Sequence, residues 1–122
     1  MKLKIIKGDF SVCKLEDFTK VNLTSSYVFI GKTDEENSLV CMSQEVPSNV
    51  IEEDKGWLAF RVEGVLDFSL VGILSQISQL LAEAKISIFA VSTFNTDYIL
   101  TKAKDFPAAI EVLQKAGYEI ID

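Results

Sequence analysis

Histidine is absent from this chain, and arginine occurs once, at Arg61. Without an imidazole there is no Ser-His-Asp or Cys-His relay and no histidine-bearing metal site. The two cysteines, Cys13 and Cys41, follow no zinc-ligand or redox spacing. Both fall in apolar, strand-like runs, where a buried free thiol is the ordinary outcome. No apolar run is long enough to span a bilayer, and no signal-peptide pattern opens the chain, so it reads as cytosolic and soluble. Basic residues are the minority, 12 against 18 acidic ones, for a net charge of −6. That balance repels phosphate backbones and anionic membranes, and it argues against nucleic acid or membrane as a partner. Lys2, Lys4 and Lys7 form a small basic cluster that reads as the solvated face of an edge strand.

With 122 residues, 48% of them hydrophobic, the chain can bury a real core but cannot support two large domains. The first half is strand-rich. Alternation from Lys2 to Ile5, a Gly8-Asp9 turn signal and then Phe10, Val12 and Leu15 predict a hairpin. Tyr27–Ile30 and Ser38–Ser43 predict two further strands around a polar turn at 33–37. Weak helical signals lie at Glu16–Val21 and Pro47–Ile51. The charged run 52–56, ending in Gly56, is the best boundary, which divides the chain into 1–55 and 56–122.

The second half is clearer. Trp57–Glu63 alternates and stops at Gly64. Leu70, Ile73, Leu74, Ile77, Leu80, Leu81 and Ala84 then recur at helical spacing. Asp67 or Ser69 can cap that helix. Ile86–Ser92 and Tyr98–Thr101 read as strands joined by an Asn95-Thr96-Asp97 turn. A second helix opens at Asp105 with Pro107 in its first turn, carries Ala109, Ile110 and Leu113 on its inner stripe, and ends at Gly117. Tyr118–Ile121 closes the chain as a strand. The order βαββαβ is the ferredoxin-like plan. The expected class is α+β, with helices on one face of an antiparallel sheet and a reduced, strand-rich copy packed beside it.

The runs Leu58–Gly64, Leu66–Leu74, Ile86–Phe94 and Thr96–Leu100, with Phe10–Leu15 and Ser38–Cys41 in the first half, resemble an ACT-type regulatory domain. In particular they resemble the small two-unit ACT proteins related to the cytosolic arginine sensors of nutrient signalling. The resemblance implies amino-acid binding, a cytosolic location and association, often as homodimers. ACT units usually accompany an enzyme, and none is visible in this sequence, so a regulated protein would be a separate partner. No cofactor is implied.

An amino acid needs N–H donors for its carboxylate and an anion for its ammonium. The helix start at Leu70, Val71 and Gly72 offers free amides and a positive dipole end. Gly72, without a Cβ, lets a ligand come close or merely permits tight helix–sheet packing. Asp97 can take an ammonium or guanidinium with Thr93 and Thr96 beside it. It can equally be a turn aspartate bonded to its own backbone. The resemblance implies a ligand contact at Asp97. Asp67 and Ser69 read first as caps and second as ligand contacts. Arg61 and Glu63 have outward parity and read as cross-strand pairs, and as the only arginine Arg61 is the residue that any bidentate carboxylate clamp within this chain would have to use. The acidic balance leans towards a cationic amino acid such as arginine, although net charge describes a whole surface and not one pocket. Nothing in the sequence raises the pKa of Asp67 or Asp97, and no phosphate loop or metal cluster accompanies them, so the chain reads as a regulatory module and not an enzyme. The rival reading is a dimerisation module that binds no small molecule.

Overall fold

The computed structural model describes residues 1–64 and 71–122. In chain order it runs β1 (Lys2–Leu15), β2 (Val28–Lys32), β3 (Asn37–Met42), β4 (Val50–Val62), α1 (Ile73–Glu83), β5 (Ile88–Ser92), β6 (Asp97–Lys102), α2 (Phe106–Lys115) and β7 (Glu119–Ile121). The class is the expected α+β. The chain forms two compact units, Met1–Lys7 with Leu58–Asp122, and Gly8–Trp57. The boundary near residue 57 lies beside the one read from the charged run, but the opening residues to Lys7 join the C-terminal unit.

Pairing explains that membership. Lys2, Leu3 and Lys4 pair in parallel with Glu119, Ile120 and Ile121. On its other side β1 meets β4, where the Glu63 N–H donates to the Lys2 carbonyl at 2.9 Å. The strand order in this unit is therefore β7-β1-β4-β6-β5. The opening strand is inserted between the first and last strands of the βαββαβ plan, so Lys2 and Lys4 lie on an interior strand and not on an edge.

The core of the C-terminal unit lies under the two helices. Leu3, Phe60, Val62, Ile77, Leu81, Ile99 and Leu113 are buried in it. Helical spacing puts Ile77 and Leu81 on one face of α1 and Ala109 and Leu113 on one face of α2. Phe60 and Phe106 meet with ring centroids 6.3 Å apart. Both helices end in the same motif. The Gly117 N–H donates to the Gln114 carbonyl and that of Tyr118 to Leu113, as the Lys85 N–H does to Ala82 and that of Ile86 to Leu81. Gly117 terminates α2 as expected. Asp105 precedes α2, but its side chain makes no capping bond.

In the N-terminal unit Phe10–Leu15 of β1 pairs antiparallel with β3, and β3 pairs with β2. The hairpin expected at Gly8-Asp9 does not form. A turn signal is local, whereas β1 is held along its length by successive partners, β7 at its start and β3 from Phe10 onward. The run 52–56 is likewise strand and not linker. Neither weak helical signal becomes a helix. Glu16–Val21 is turn, and a short 3-10 turn stands at Ser43–Glu45, ahead of Pro47–Ile51. Cys13, Leu15, Leu39 and Cys41 form one buried cluster of this unit, with both thiols buried and free.

The two hairpins, one in each unit, turn alike. The Thr33 N–H donates to the Glu36 carbonyl at 3.0 Å, and the Thr93 N–H donates to the Thr96 carbonyl at 2.8 Å. In both turns the threonine hydroxyl oxygen accepts from the turn backbone.

Candidate functional site

Strand alternation sets the two faces of β4. Phe60 and Val62 enter the core beneath the helices, so Arg61 and Glu63 fall on the opposite face. Tyr98 has the same relation to Ile99 on the neighbouring strand β6. The three side chains meet. Arg61 Nη1 donates to Tyr98 Oη at 3.2 Å, and Arg61 Nε donates to Glu63 Oε2 at 3.4 Å. The guanidinium carbon lies 6.0 Å from the Tyr98 ring centroid, at the outer reach of a cation–π contact. The hydrogen bond to Tyr98 raises the Arg61 pKa, burial works against it, and Glu63 adds to the rise. Arg61 and Glu63 are both partly exposed, 26% and 34%. Water therefore screens the pair, which contributes more to orientation than to stability.

These residues line one wall of a cleft of about 270 Å³, completed by Gly64, Thr93, Asn95 and Thr96. Drug-sized ligands occupy pockets from ~300 Å³ upward, so this cleft suits something smaller. The turn beneath it is tied down. The Thr96 hydroxyl donates to the Val62 carbonyl at 2.7 Å, and the Thr93 hydroxyl donates to the Thr96 carbonyl at 3.0 Å. Both hydroxyl protons are thus committed within the protein, which leaves their oxygens as acceptors.

Of the expected contacts, Thr93 and Thr96 line this cleft and Asp97 does not. Asp97 shares a strand face with Ile99, on the helix side, and its Oδ1 accepts from Ser92 Oγ at 2.5 Å. It bridges the hairpin through a side chain, where a bond to its own backbone was the alternative. Val71 is 89% exposed, and Gly72 precedes α1 with φ +80°. Among the described residues a Cβ on Gly72 would meet nothing within 4 Å, and its left-handed backbone is one that glycine adopts readily. Gly72 also holds the N-cap position, without a side-chain capping bond. Asp67, Ser69 and Leu70, expected as caps or ligand contacts, lie outside the described residues. Arg61, Glu63, Asn95 and Tyr98 were not in the expected set. The signal for them was the single arginine of the chain at outward parity, two residues from a glutamate.

A second hollow of about 220 Å³ lies by the start of α1, lined by Met1, Ile73, Gln76, Ala116, Gly117 and Tyr118. Tyr118 Oη donates to Gln76 Oε1 there at 2.9 Å. Among the described residues no group of three or more His, Cys, Asp or Glu side chains could hold a metal, and no helix is long and apolar enough to cross a membrane.

Two helices on one face of a ferredoxin-like sheet, with a small charged cleft at the strand ends, define an α+β domain of the ferredoxin-like class. The ACT domain family matches residues 52–115, just over half the chain. A crystallised protein of Agobacterium tumefaciens is 31% identical, with a TM-score of 0.86 over 98% of this chain and 91% of that one. A Vibrio cholerae protein, described as of unknown function and a possible transport protein, is 16% identical, with a TM-score of 0.75 over 93% of this chain and 88% of that one. The ligand-free regulatory subunit of aspartate kinase from Thermus thermophilus is 12% identical, with a TM-score of 0.63 over 96% of this chain and 97% of that one. The last two likenesses speak to the fold alone. No curated protein matches the chain. The chain belongs to the ACT domain family. Membership supports a small-molecule-binding, regulatory role and not a catalytic one.

Proposed function

We propose that the protein is an amino-acid-binding regulatory module that acts on a separate partner in the cytoplasm. The ligand is taken in the C-terminal unit, at the end of the sheet where the 93–97 turn lies. The observation that carries this reading is the cleft of about 270 Å³ beside Thr93 and Thr96, in a chain of the ACT family, walled by groups of both charges. The neighbouring start of α1 in sequence, Val71 and Gly72, is exposed and supports access from solvent. The matching turns of the two hairpins support reading the N-terminal unit as a reduced copy of the same plan.

The test is a thermal-shift screen of the twenty common amino acids. A ligand present at 100 times its dissociation constant stabilises the fold by about 2.7 kcal/mol. A shift with one amino acid or a related few is expected. No shift with any of them at millimolar concentration refutes the reading.

A homodimer that binds no ligand is the second reading. It is favoured by β5, which among the described residues has a strand partner on one side only. Sedimentation over a range of protein concentrations, with and without amino acids, separates the two.

A further inference from the structure

We infer that the cleft recognises the zwitterionic head of a free α-amino acid, with Arg61 taking the carboxylate and Glu63 the ammonium. This rests on the amino-acid reading above and specifies its chemistry and its residues.

The argument is one of charge and geometry. Arg61 Nε and Glu63 Oε2 stand 3.4 Å apart on one wall of the cleft. A monoanion entering there meets Glu63, and a monocation meets Arg61. A molecule carrying both charges a few bonds apart meets each with its opposite. Arg61 is already oriented, through Nη1 on Tyr98 and Nε on Glu63. Among the described residues its Nη2 has no protein partner, which leaves two N–H groups for a carboxylate. Charge-assisted bonds of that kind are the stronger class, and a guanidinium held in place loses little freedom when it binds. With their protons committed elsewhere, the Thr96 oxygen and the second lone pair of the Thr93 oxygen, which already accepts from the Thr96 N–H, add acceptors suited to an ammonium. The volume of the cleft is enough for the head group of an amino acid. Asp97, on the other sheet face, plays no part in this contact.

The experiment uses the full chain and isothermal titration. The twenty common amino acids are titrated one at a time, followed by the amide and the N-acetyl derivative of each that binds. The amide keeps only the positive charge and the N-acetyl form only the negative one. Each derivative is expected to bind at least tenfold more weakly than its parent. Arg61→Gln and Glu63→Gln are each expected to weaken binding by about tenfold to a hundredfold, the loss of one charge-assisted bond. The derivative arm needs no variant and so does not depend on how Arg61→Gln folds. Equal binding of an amino acid and its amide overturns the inference. So does undiminished binding by a folded Arg61→Gln, or loss on Asp97→Asn with Arg61→Gln unaffected; in each case the amino-acid reading stands. Failure of every amino acid to bind the unaltered chain overturns both.

Discussion

The ends of the two helices offer a paired test of backbone reasoning. Lys85 follows α1 at φ +62°, and Gly117 follows α2 at φ +103°, in the same hydrogen-bonding motif. The left-handed conformation costs a residue with a Cβ roughly 1–2 kcal/mol and costs glycine almost nothing. Lys85 is exposed, so Lys85→Gly gives up little packing. Against the gain stands the freedom of glycine in the unfolded chain, about 0.4–1 kcal/mol. The net expectation is a stabilisation of about 0.5–1 kcal/mol. For a chain of this length that raises Tm by about 2–4 °C. Gly117→Ala reverses the sign. A Cβ there meets nothing within 4 Å, so the whole effect is conformational. The same strain, less the stabilisation that alanine gives by restricting the unfolded chain, leaves a net cost of about 0.5–1 kcal/mol. Urea denaturation with m held common, together with calorimetry, measures both. If Lys85→Gly destabilises the protein, or Gly117→Ala leaves it unchanged, φ does not govern these positions and the account of the helix ends is wrong.

Thr96→Val keeps the shape of a residue 7% exposed but removes the 2.7 Å bond to the Val62 carbonyl. It is expected to cost about 1–3 kcal/mol, because the carbonyl loses its partner, and a smaller change in denaturation midpoint would show that water replaces it. Leu113→Ala empties a fully buried position in the C-terminal core and is expected to cost about 2–5 kcal/mol; a loss below 1 kcal/mol in the same assay would mean that the core collapses around it. The thiols set an alkaline limit. Burial, with Glu53 adding, pushes Cys13 from 9.0 to about 11, and burial, with Cys13 and Glu45 adding, pushes Cys41 from 9.0 to about 12. The folded state therefore holds these protons more tightly than the unfolded chain. Their contribution is complete below about pH 9 and is lost as pH rises towards 11–12, where unfolding exposes thiols that ionise readily. Denaturation midpoints should be level with respect to these groups below pH 9 and fall above it; a midpoint that rises above pH 9 would reverse the assigned sign.

Helical spacing from Ile73 to Leu81 and from Ala109 to Leu113 was enough to place both helices and the faces they bury, because those contacts repeat every three or four residues. The Ser92–Asp97 hairpin was legible for the same reason, being a strand, a short polar turn and a strand in sequence. Thr93 and Thr96 could be placed side by side from the sequence because they sit in that turn. Arg61 and Tyr98 were missed as a pair, since they are 37 residues apart and meet only after β4 and β6 become neighbours. Gly72 holds the N-cap position of α1, a position that apolar spacing fixes only to within one or two residues.

The pattern of side chains along the chain decided what the two C-terminal helices and the strands around them would be and which face each helix would bury, since those periodicities are local properties of the chain. Which strand lies beside which had to await folding. The Gly8-Asp9 turn signal failed because β1 finds partners at both its ends, one of them more than a hundred residues away at Glu119–Ile121. An N–H on a strand carries no mark of the carbonyl it will meet. That choice is made by the burial of whole faces at once, and with it the cleft that brings Arg61, Glu63 and Tyr98 together.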